Sequence, residues 1–182
     1  MSKARRAGDR TVRETASDTK DVERARTIGW ADPGITARAA AGRTGLEFLQ
    51  AMVDGELPQP PIMSTLGARL ESVAEGQAVF TMAPAEFHYN PIGSVHGGVF
   101  CTLLDSAAAC AVHTLLPAGV GYTSLDLSVR YIGRIDVDTG PVTCTGTVTH
   151  LGRRTAIAEA ALTSSDGKLL ATATSSCLIL SP

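Results

Sequence analysis

The stretch NPIGSVHGGVFCTLLDSAAACAVHTLL, residues 90–116, holds the strongest structural signal in the chain. After Gly98 it is rich in Ala, Leu, Val and Cys, lacks Gly and Pro, and carries one carboxylate, Asp105, and one histidine, His113. This composition predicts a long helix over 96–116 that is apolar nearly all round. Such a helix has to be covered by other elements over most of its surface.

Apolar and polar residues alternate on both sides of this helix, which is typical of strands. Strands are predicted near 66–74, 76–84, 122–132, 141–150, 153–164 and 168–180. Glycines between them mark turns, as at Glu75-Gly76 and Asp166-Gly167. Six strands with mostly antiparallel connections can curl as one sheet around the helix. The sequence thus predicts an α+β fold, with a curved antiparallel sheet wrapped around a long buried central helix.

The N-terminal part of the chain differs in composition from the rest. Residues 1–26 alternate charged side chains with Thr, Ser and Ala and hold almost no large apolar residue, so burial cannot offset the entropy lost on ordering. Residues 1–43 are therefore predicted to be disordered or loosely docked. Thr44 is predicted to cap a helix over 45–54, with Glu47 at the capping-box position, and to open a single domain over 44–182.

Composition and charge exclude several classes of protein. Of 16 basic and 18 acidic side chains, 8 and 5 lie in residues 1–26, which leaves 8 basic against 13 acidic elsewhere. This balance excludes a basic nucleic-acid-binding surface. No run approaches the roughly 20 apolar residues of a membrane span, and no signal peptide is recognisable. Widely spaced cysteines indicate a reduced, cytoplasmic protein, and neither they nor the histidines have metal-site spacing, so no metal or cofactor is expected.

Gly97 and Gly98 stand where the long helix begins. Backbone N–H groups there lack side-chain shielding and lie at the positive end of the helix dipole, so they can hold an oxyanion. Equally, the two glycines can serve only to let the helix pack closely on the sheet. Asp105 favours the chemical interpretation, because a carboxylate in an Ala- and Leu-rich helix is costly to bury without a role. The alternative is that Asp105 accepts a hydrogen bond from a neighbouring hydroxyl and fixes the core.

The spacing of these residues has a geometric consequence. Gly98 and Asp105 are seven positions apart, so they share a helix face but lie about 10 Å apart along the axis. One small carbonyl group cannot contact both. If both act on it, the carboxylate has to come from a second copy of the chain, and the site then spans the interface of a symmetric dimer.

The pattern Asn-x-x-Gly-x-x-His-Gly-Gly-x-x-x-Thr-Leu-x-Asp, from Asn90 to Asp105, resembles the signature of the PaaI-like branch of hotdog-fold acyl-CoA thioesterases. TSLDLSVRYI, residues 123–132, resembles the strand after the hotdog helix, and LGRRT, residues 151–155, resembles a basic turn used for coenzyme A. The resemblance covers about residues 45–180. It implies the hotdog fold, hydrolysis of an acyl-CoA to a free acid and coenzyme A, and a homodimer at minimum, with a homotetramer expected.

The resemblance also implies roles for individual residues. The Gly97 amide would polarise the thioester carbonyl, Asp105 of the partner subunit would act as nucleophile or as base on a water, and Asn90 and His96 would support the substrate and the Gly97 loop. A hydroxyl on the following strand would orient the water. The resemblance assigns it to Ser124.

A period of two residues points to the neighbouring hydroxyl instead. It puts Thr123 with Leu125, Leu127 and Val129 on the helix-facing side, and the two assignments agree only if a bulge intervenes. Gly98 and Thr123 are assigned to substrate binding. Arg153 and Arg154 are assigned there too, because they can clamp coenzyme A phosphates, although an arginine pair at a turn can also be merely solvated.

Two other functions compete with hydrolysis. A hydratase or dehydratase of acyl chains needs a histidine paired with Asp or Glu in a different motif, which the chain lacks. A non-catalytic acyl-CoA-binding regulator typically adds a helix-turn-helix, and residues 1–44 have no two-helix apolar pattern. His113, at the end of the predicted helix, is interpreted as a dipole-binding or capping residue.

Overall fold

The computed structural model describes residues 23–180 of the chain. Six strands form one antiparallel sheet in the order β1-β2-β4-β5-β6-β3. They are β1 (Ala68–Ala74), β2 (Gln77–Met82), β3 (Gly121–Tyr131), β4 (Val142–Leu151), β5 (Thr155–Ser164) and β6 (Leu169–Leu180). A 17-residue helix, Gly97–His113, packs on one face of this sheet. The predicted α+β hotdog architecture is confirmed.

Three shorter helices precede this long helix, which is α4 in chain order: α1 (Pro33–Ala39), α2 (Gly45–Val53) and α3 (Pro61–Leu66). The capping box of α2 forms as predicted: the Glu47 amide donates to the Thr44 hydroxyl, and the Thr44 amide donates to the Glu47 carboxylate. The sequence analysis did not predict α1 and α3. Each has fewer than two turns, so no apolar period can develop, and each begins at a proline, which favours the first helical position.

The N-terminal residues that the structure describes contact the domain. The Arg26 guanidinium donates to the carbonyls of Ser64 and Thr65, both at 2.8 Å, at the end of α3. It also lies 3.9 Å from the centre of the Phe87 ring. Residues 1–22, for which disorder is predicted, lie outside the described residues. None of the helices within 23–180 is both long and apolar enough to cross a membrane.

Helix α4 packs on the sheet through small side chains. Ala107, Ala108 and Ala111 are fully buried, and a Cβ at Gly146 of β4 would lie 2.1 Å from the Ala107 carbonyl oxygen. The helix and strand backbones therefore touch, which only glycine at position 146 permits. This contact brings the middle of α4 close to β4.

In one respect α4 differs from the sequence-based expectation, because one stripe remains accessible. Gly98 is exposed, and Cys101, Thr102, Asp105 and Ser106 are only half-buried. These positions follow the spacing of a single helix face. The stripe is open because α4 borders β3, the last strand of the sheet, so no further strand covers that side. The carboxylate of Asp105 is therefore less buried than the sequence indicated.

Candidate active site

The beginning of α4 presents one free backbone donor. His96 caps the helix, and its Nδ1 atom accepts a hydrogen bond of 2.9 Å from the Gly98 amide. Nothing within residues 23–180 accepts a hydrogen bond from the Gly97 amide. Of the two predicted glycines, Gly97 thus offers the available N–H, while the Gly98 amide is occupied.

Tyr131, at the end of β3, contacts the peptide between Gly97 and Gly98, whose N–H is bonded to His96. Its hydroxyl donates to the Gly97 carbonyl at 3.2 Å. A Cβ at Gly97 would lie 3.0 Å from the Tyr131 hydroxyl oxygen. The peptide between Gly97 and Gly98 is therefore fixed at both ends, by Tyr131 at its carbonyl and by His96 at its N–H. The sequence analysis missed Tyr131, although the period of two shared with Leu127 and Val129 could have indicated it.

Asn90 organises the loop before α4. Its Oδ1 accepts from the amides of Ile92 and Ser94, and its Nδ2 donates to the Ser94 hydroxyl. The loop, the helix start and the end of β3 line a cleft of about 770 Å³. Asn90, His96, Gly97, Gly98 and Tyr131 all lie along it. Asp105 is absent from its lining.

Asp105 instead contacts β3 further along the helix. The Ser124 hydroxyl donates to the Asp105 carboxylate at 2.8 Å. A register shift between Ser124 and Asp126 interrupts the pairing of β3 with β6, so a bulge at Leu125 separates the two halves of the strand. Tyr122 and Ser124 face the helix before the bulge, and Leu127 and Val129 pack on the core after it. Thr123, Ser124 and Leu125 are all exposed, and it is the hydrogen bond to Asp105 that favours Ser124 over Thr123.

Side chains on β3 and β6 hold this bulge. The Asp126 carboxylate accepts hydrogen bonds from the amide and the hydroxyl of Ser176, and the buried Ser175 hydroxyl donates to the Asp126 carbonyl at 2.8 Å. Buried strand carbonyls need such partners where the ladder is interrupted. The position of the Ser124 hydroxyl next to Asp105 therefore depends on these three residues.

The two parts of the candidate site lie apart within one chain. Helix α4 is continuous from Gly97 to His113. A rise of about 1.5 Å per residue separates Gly98 from Asp105 by about 10 Å along the axis. The free amide and the Ser124–Asp105 pair are therefore two half-sites on the same seam between α4 and β3.

Comparison with known proteins shows a similarity to one family. The sequence profile of the thioesterase superfamily matches residues 92–171, which are 80 of the 182 residues and include both half-sites.

Individual proteins are similar to this chain over a larger part of its length. A 1,4-dihydroxy-2-naphthoyl-CoA hydrolase of Listeria monocytogenes is 29% identical over 110 residues, which cover 60% of this chain and 87% of the relative. A crystal structure of a phenylacetic acid degradation-related protein of Ralstonia eutropha, described as a putative thioesterase, is 29% identical, with a TM-score of 0.64 over 71% of this chain and 98% of that chain. The PaaI protein of Escherichia coli, at 23% identity and a TM-score of 0.64 over 74% of this chain and 92% of that chain, has the same fold.

His88 supports the loop that leads to α4. Its Nδ1 accepts from the Ala85 amide at 3.0 Å, its Nε2 lies 2.7 Å from the Leu66 carbonyl, and its own carbonyl accepts from the His96 amide. Burial lowers the pKa of His88, which keeps the ring neutral and the Nδ1 atom free to accept. The sequence analysis did not identify this role.

Arg153 and Arg154 lie in the turn between β4 and β5, as predicted. Both are exposed, and neither guanidinium has a carboxylate partner among residues 23–180. Thr155, next to Arg154, pairs with Leu178 of β6, which pairs in turn with Thr123 of β3. Thr155 and Thr123 are therefore two strand spacings apart, which is about 10 Å. The arginines thus lie at the same end of the sheet as Ser124.

His113 does not act as a charged cap of α4. Its ring lies between Phe48, at 5.5 Å, and Tyr122, at 5.0 Å between ring centres. Burial lowers its pKa, so the imidazole is neutral at pH 7 and cannot complement the helix dipole as a cation. Burial also raises the pKa of the neighbouring Cys110 thiol to about 12, which keeps that sulfur protonated. Within residues 23–180, no three His, Cys, Asp or Glu side chains are grouped as metal ligands.

Proposed function

We propose that this protein hydrolyses the thioester of an acyl-CoA to a free acid and coenzyme A. The observation that carries the proposal is the Ser124–Asp105 hydrogen bond on an accessible stripe of α4, the same helix that offers the free Gly97 amide. An amide donor and a carboxylate next to a hydroxyl are the groups that thioester hydrolysis needs. The Listeria relative, named for hydrolysis of a CoA thioester, supports a substrate of the same class.

The groups divide the reaction between them. The Gly97 N–H donates to the thioester oxygen and stabilises the negative charge that develops there. Asp105 either attacks the carbonyl carbon, which forms a mixed anhydride that water then hydrolyses to the free acid, or takes a proton from a water that attacks the same carbon. In both routes Ser124 orients the water. The bond to sulfur then breaks, and coenzyme A leaves as the thiol once it gains a proton. Asn90 holds the loop before the amide, and His96 and Tyr131 hold the next peptide, between Gly97 and Gly98.

The proposal places each site between two copies of the chain. Because Gly98 and Asp105 are about 10 Å apart along α4, one chain cannot bring both half-sites to one carbonyl. Strand β3 is an 11-residue edge strand, and Leu125 on it is 56% exposed, so it offers free ladder groups and apolar surface to a second copy. A two-fold axis there would bring the Gly97 amide of one copy to Asp105 of the other. A homotetramer built from two such dimers remains part of this proposal.

The carboxylate is tested by Asp105→Asn. The amide is close in shape but can neither attack nor accept the proton, so kcat on the best acyl-CoA of a panel should fall at least about 100-fold, measured by release of free thiol. Asp138→Asn, an exposed carboxylate outside the site, is the matched control and should leave kcat unchanged. Ser124→Ala should lower kcat while Thr123→Ala should not. Retention of more than about a tenth of the turnover by Asp105→Asn would favour the core-fixing role instead.

We further propose that Arg153 and Arg154 bind coenzyme A phosphates. Changing both to Ala should raise KM for an acyl-CoA with little effect on kcat, because contacts remote from the reacting carbon stabilise ground and transition states alike. This increase in KM should become smaller as the salt concentration is raised, because salt screens the attraction between arginine and phosphate. A truncated thioester without the nucleotide should be hydrolysed equally by wild type and double variant. Equal losses on both substrates would contradict a phosphate role.

A further inference from the structure

A second cavity, of about 290 Å³, lies between α1, α2 and α4. Its walls are mostly apolar and aromatic, with Phe48, Met52 and Phe80 among them. Pockets that bind small ligands start at about this size and character. The mechanism above does not use this cavity.

The cavity continues the seam that carries the two half-sites. Along this seam α4 and β3 run antiparallel, and contacts follow in order: Gly97 with Tyr131, Asp105 with Ser124, and His113 with Tyr122. Tyr122 and His113 line the cavity. Because Tyr122 precedes Ser124 by two residues, the cavity begins about 7 Å from the reacting pair.

Two polar side chains of the cavity, His113 and Tyr122, are left open to a ligand within the part of the chain that the structure describes. The Gln59 amide is fully engaged by the Leu70 amide and carbonyl and by the Met52 carbonyl. The Thr36 hydroxyl donates to the Pro58 carbonyl at 3.3 Å, whereas the Tyr122 hydroxyl has no hydrogen-bond partner within residues 23–180. The His113 imidazole has no hydrogen-bond partner among residues 23–180. Since burial keeps this ring neutral, one of its nitrogens donates and the other accepts.

Most of this cavity lies outside the region that matches the family profile. Only Cys110, His113 and Tyr122 of its lining fall within residues 92–171. One wall is Thr36 of α1, in the N-terminal segment before the predicted domain. Similarity to the superfamily therefore does not determine what the cavity accepts.

The proposed hydrolysis is the basis of this inference. The geometry points to the cavity as the binding site of the acyl group, closed by α1, in which His113 selects acyl chains that carry a hydrogen-bonding substituent remote from the thioester. Asp105 and His113 are about 12 Å apart along α4, and contacts of about 3 Å at each end leave about 6 Å for the chain. An acyl chain of about six carbons with a terminal hydroxyl spans this distance.

The polar end is tested with hexanoyl-CoA and 6-hydroxyhexanoyl-CoA, which differ only in that hydroxyl. His113→Phe keeps a ring between Phe48 and Tyr122 and removes both nitrogens. The ratio of kcat/KM for the hydroxylated over the plain substrate should fall about tenfold in this variant, because one buried hydrogen bond is lost. An unchanged ratio in a folded variant would overturn the role of His113.

The role of the cavity as the acyl site is tested independently of His113, through its wall on α1. Thr36→Trp should fill the cavity and lower kcat/KM for hexanoyl-CoA at least about tenfold relative to acetyl-CoA, whose acyl group is too short to enter. Ile35→Trp, on the same helix at a position that is 44% exposed and outside the lining, is the matched control and should leave the ratio unchanged. The comparison of Thr36→Trp with Ile35→Trp decides whether the cavity holds the acyl group even if His113→Phe fails to fold.

The outcomes separate the two proposals. If wild type hydrolyses these acyl-CoAs but neither Thr36→Trp nor His113→Phe changes its ratio, the acyl site lies elsewhere and only this inference is overturned. If wild type hydrolyses none of the three thioesters but hydrolyses another acyl-CoA of the panel, only this inference is overturned. If it hydrolyses no acyl-CoA of the panel, the proposed function is wrong, and this inference is overturned with it.

Discussion

The Tyr131 hydroxyl is a single group whose removal should affect the rate of hydrolysis more than the binding of substrate. With His96, it fixes the peptide next to the Gly97 amide. Tyr131→Phe keeps the ring packed on Phe100 and releases that peptide, so kcat should fall about three- to tenfold with KM unchanged, measured by steady-state thiol release. Tyr89→Phe, which removes a hydroxyl bonded to the Val137 amide instead, is the control. A rise in KM alone would mean that Tyr131 only lines the cleft.

Single residues also show where sequence reasoning ends. Asp105 could be proposed because a carboxylate is unusual in an apolar helix, and Gly97 because paired glycines stand at the start of that helix. His96 and Asn90 are assigned only through the resemblance to the family motif. The choice between Ser124 and Thr123 could not be predicted, because it depends on a bulge that alternation does not reveal. The bulge is held by Asp126 and two serines of β6, about 50 residues away in sequence. Such long-range partners cannot be read from a local period.

At the scale of elements, the contact of α4 with β4 depends on the absence of a side chain at Gly146. Gly146→Ala would force a Cβ to 2.1 Å from the Ala107 carbonyl oxygen, which neither backbone can avoid without moving. The free energy of unfolding should fall by about 3 kcal/mol or more in urea titrations. Gly121→Ala, where the nearest atom would be 3.8 Å away in the Leu180 side chain, should be nearly neutral. Equal stability of the two variants would show that α4 does not need this close approach.

Elements with a strong period or cap were predictable, and those without were not. The six strands and α4 follow from alternation and composition, and α2 from its capping box. Helices α1 and α3 are too short to show a period. The open stripe of α4 could not be predicted either, because it depends on β3 lying at the sheet edge, which is a property of strand order and not of any segment.

At the scale of the whole molecule, the separation of the two half-sites makes activity a property of an assembly. An Asp105→Asn chain keeps the Gly97 amide, and a Gly97→Val chain keeps Asp105, although its side chain crowds the Tyr131 hydroxyl. Each variant alone should be inactive, since every site in its homodimer contains the lesion. A hybrid dimer instead combines both lesions in one site and leaves the other site intact.

Mixing the two inactive variants should therefore restore activity. Random exchange makes about half of the dimers hybrids with one intact site each, so recovery should approach about a quarter of wild-type kcat per chain. The measurement is thiol release before and after subunit exchange, with exchange verified by mass differences between tagged chains. Equal mixtures assayed before exchange are the control. Inactivity in verified hybrids would mean that one chain supplies both half-sites, and a substrate would then have to contact the Gly97 cleft and Asp105 about 10 Å apart for separate purposes.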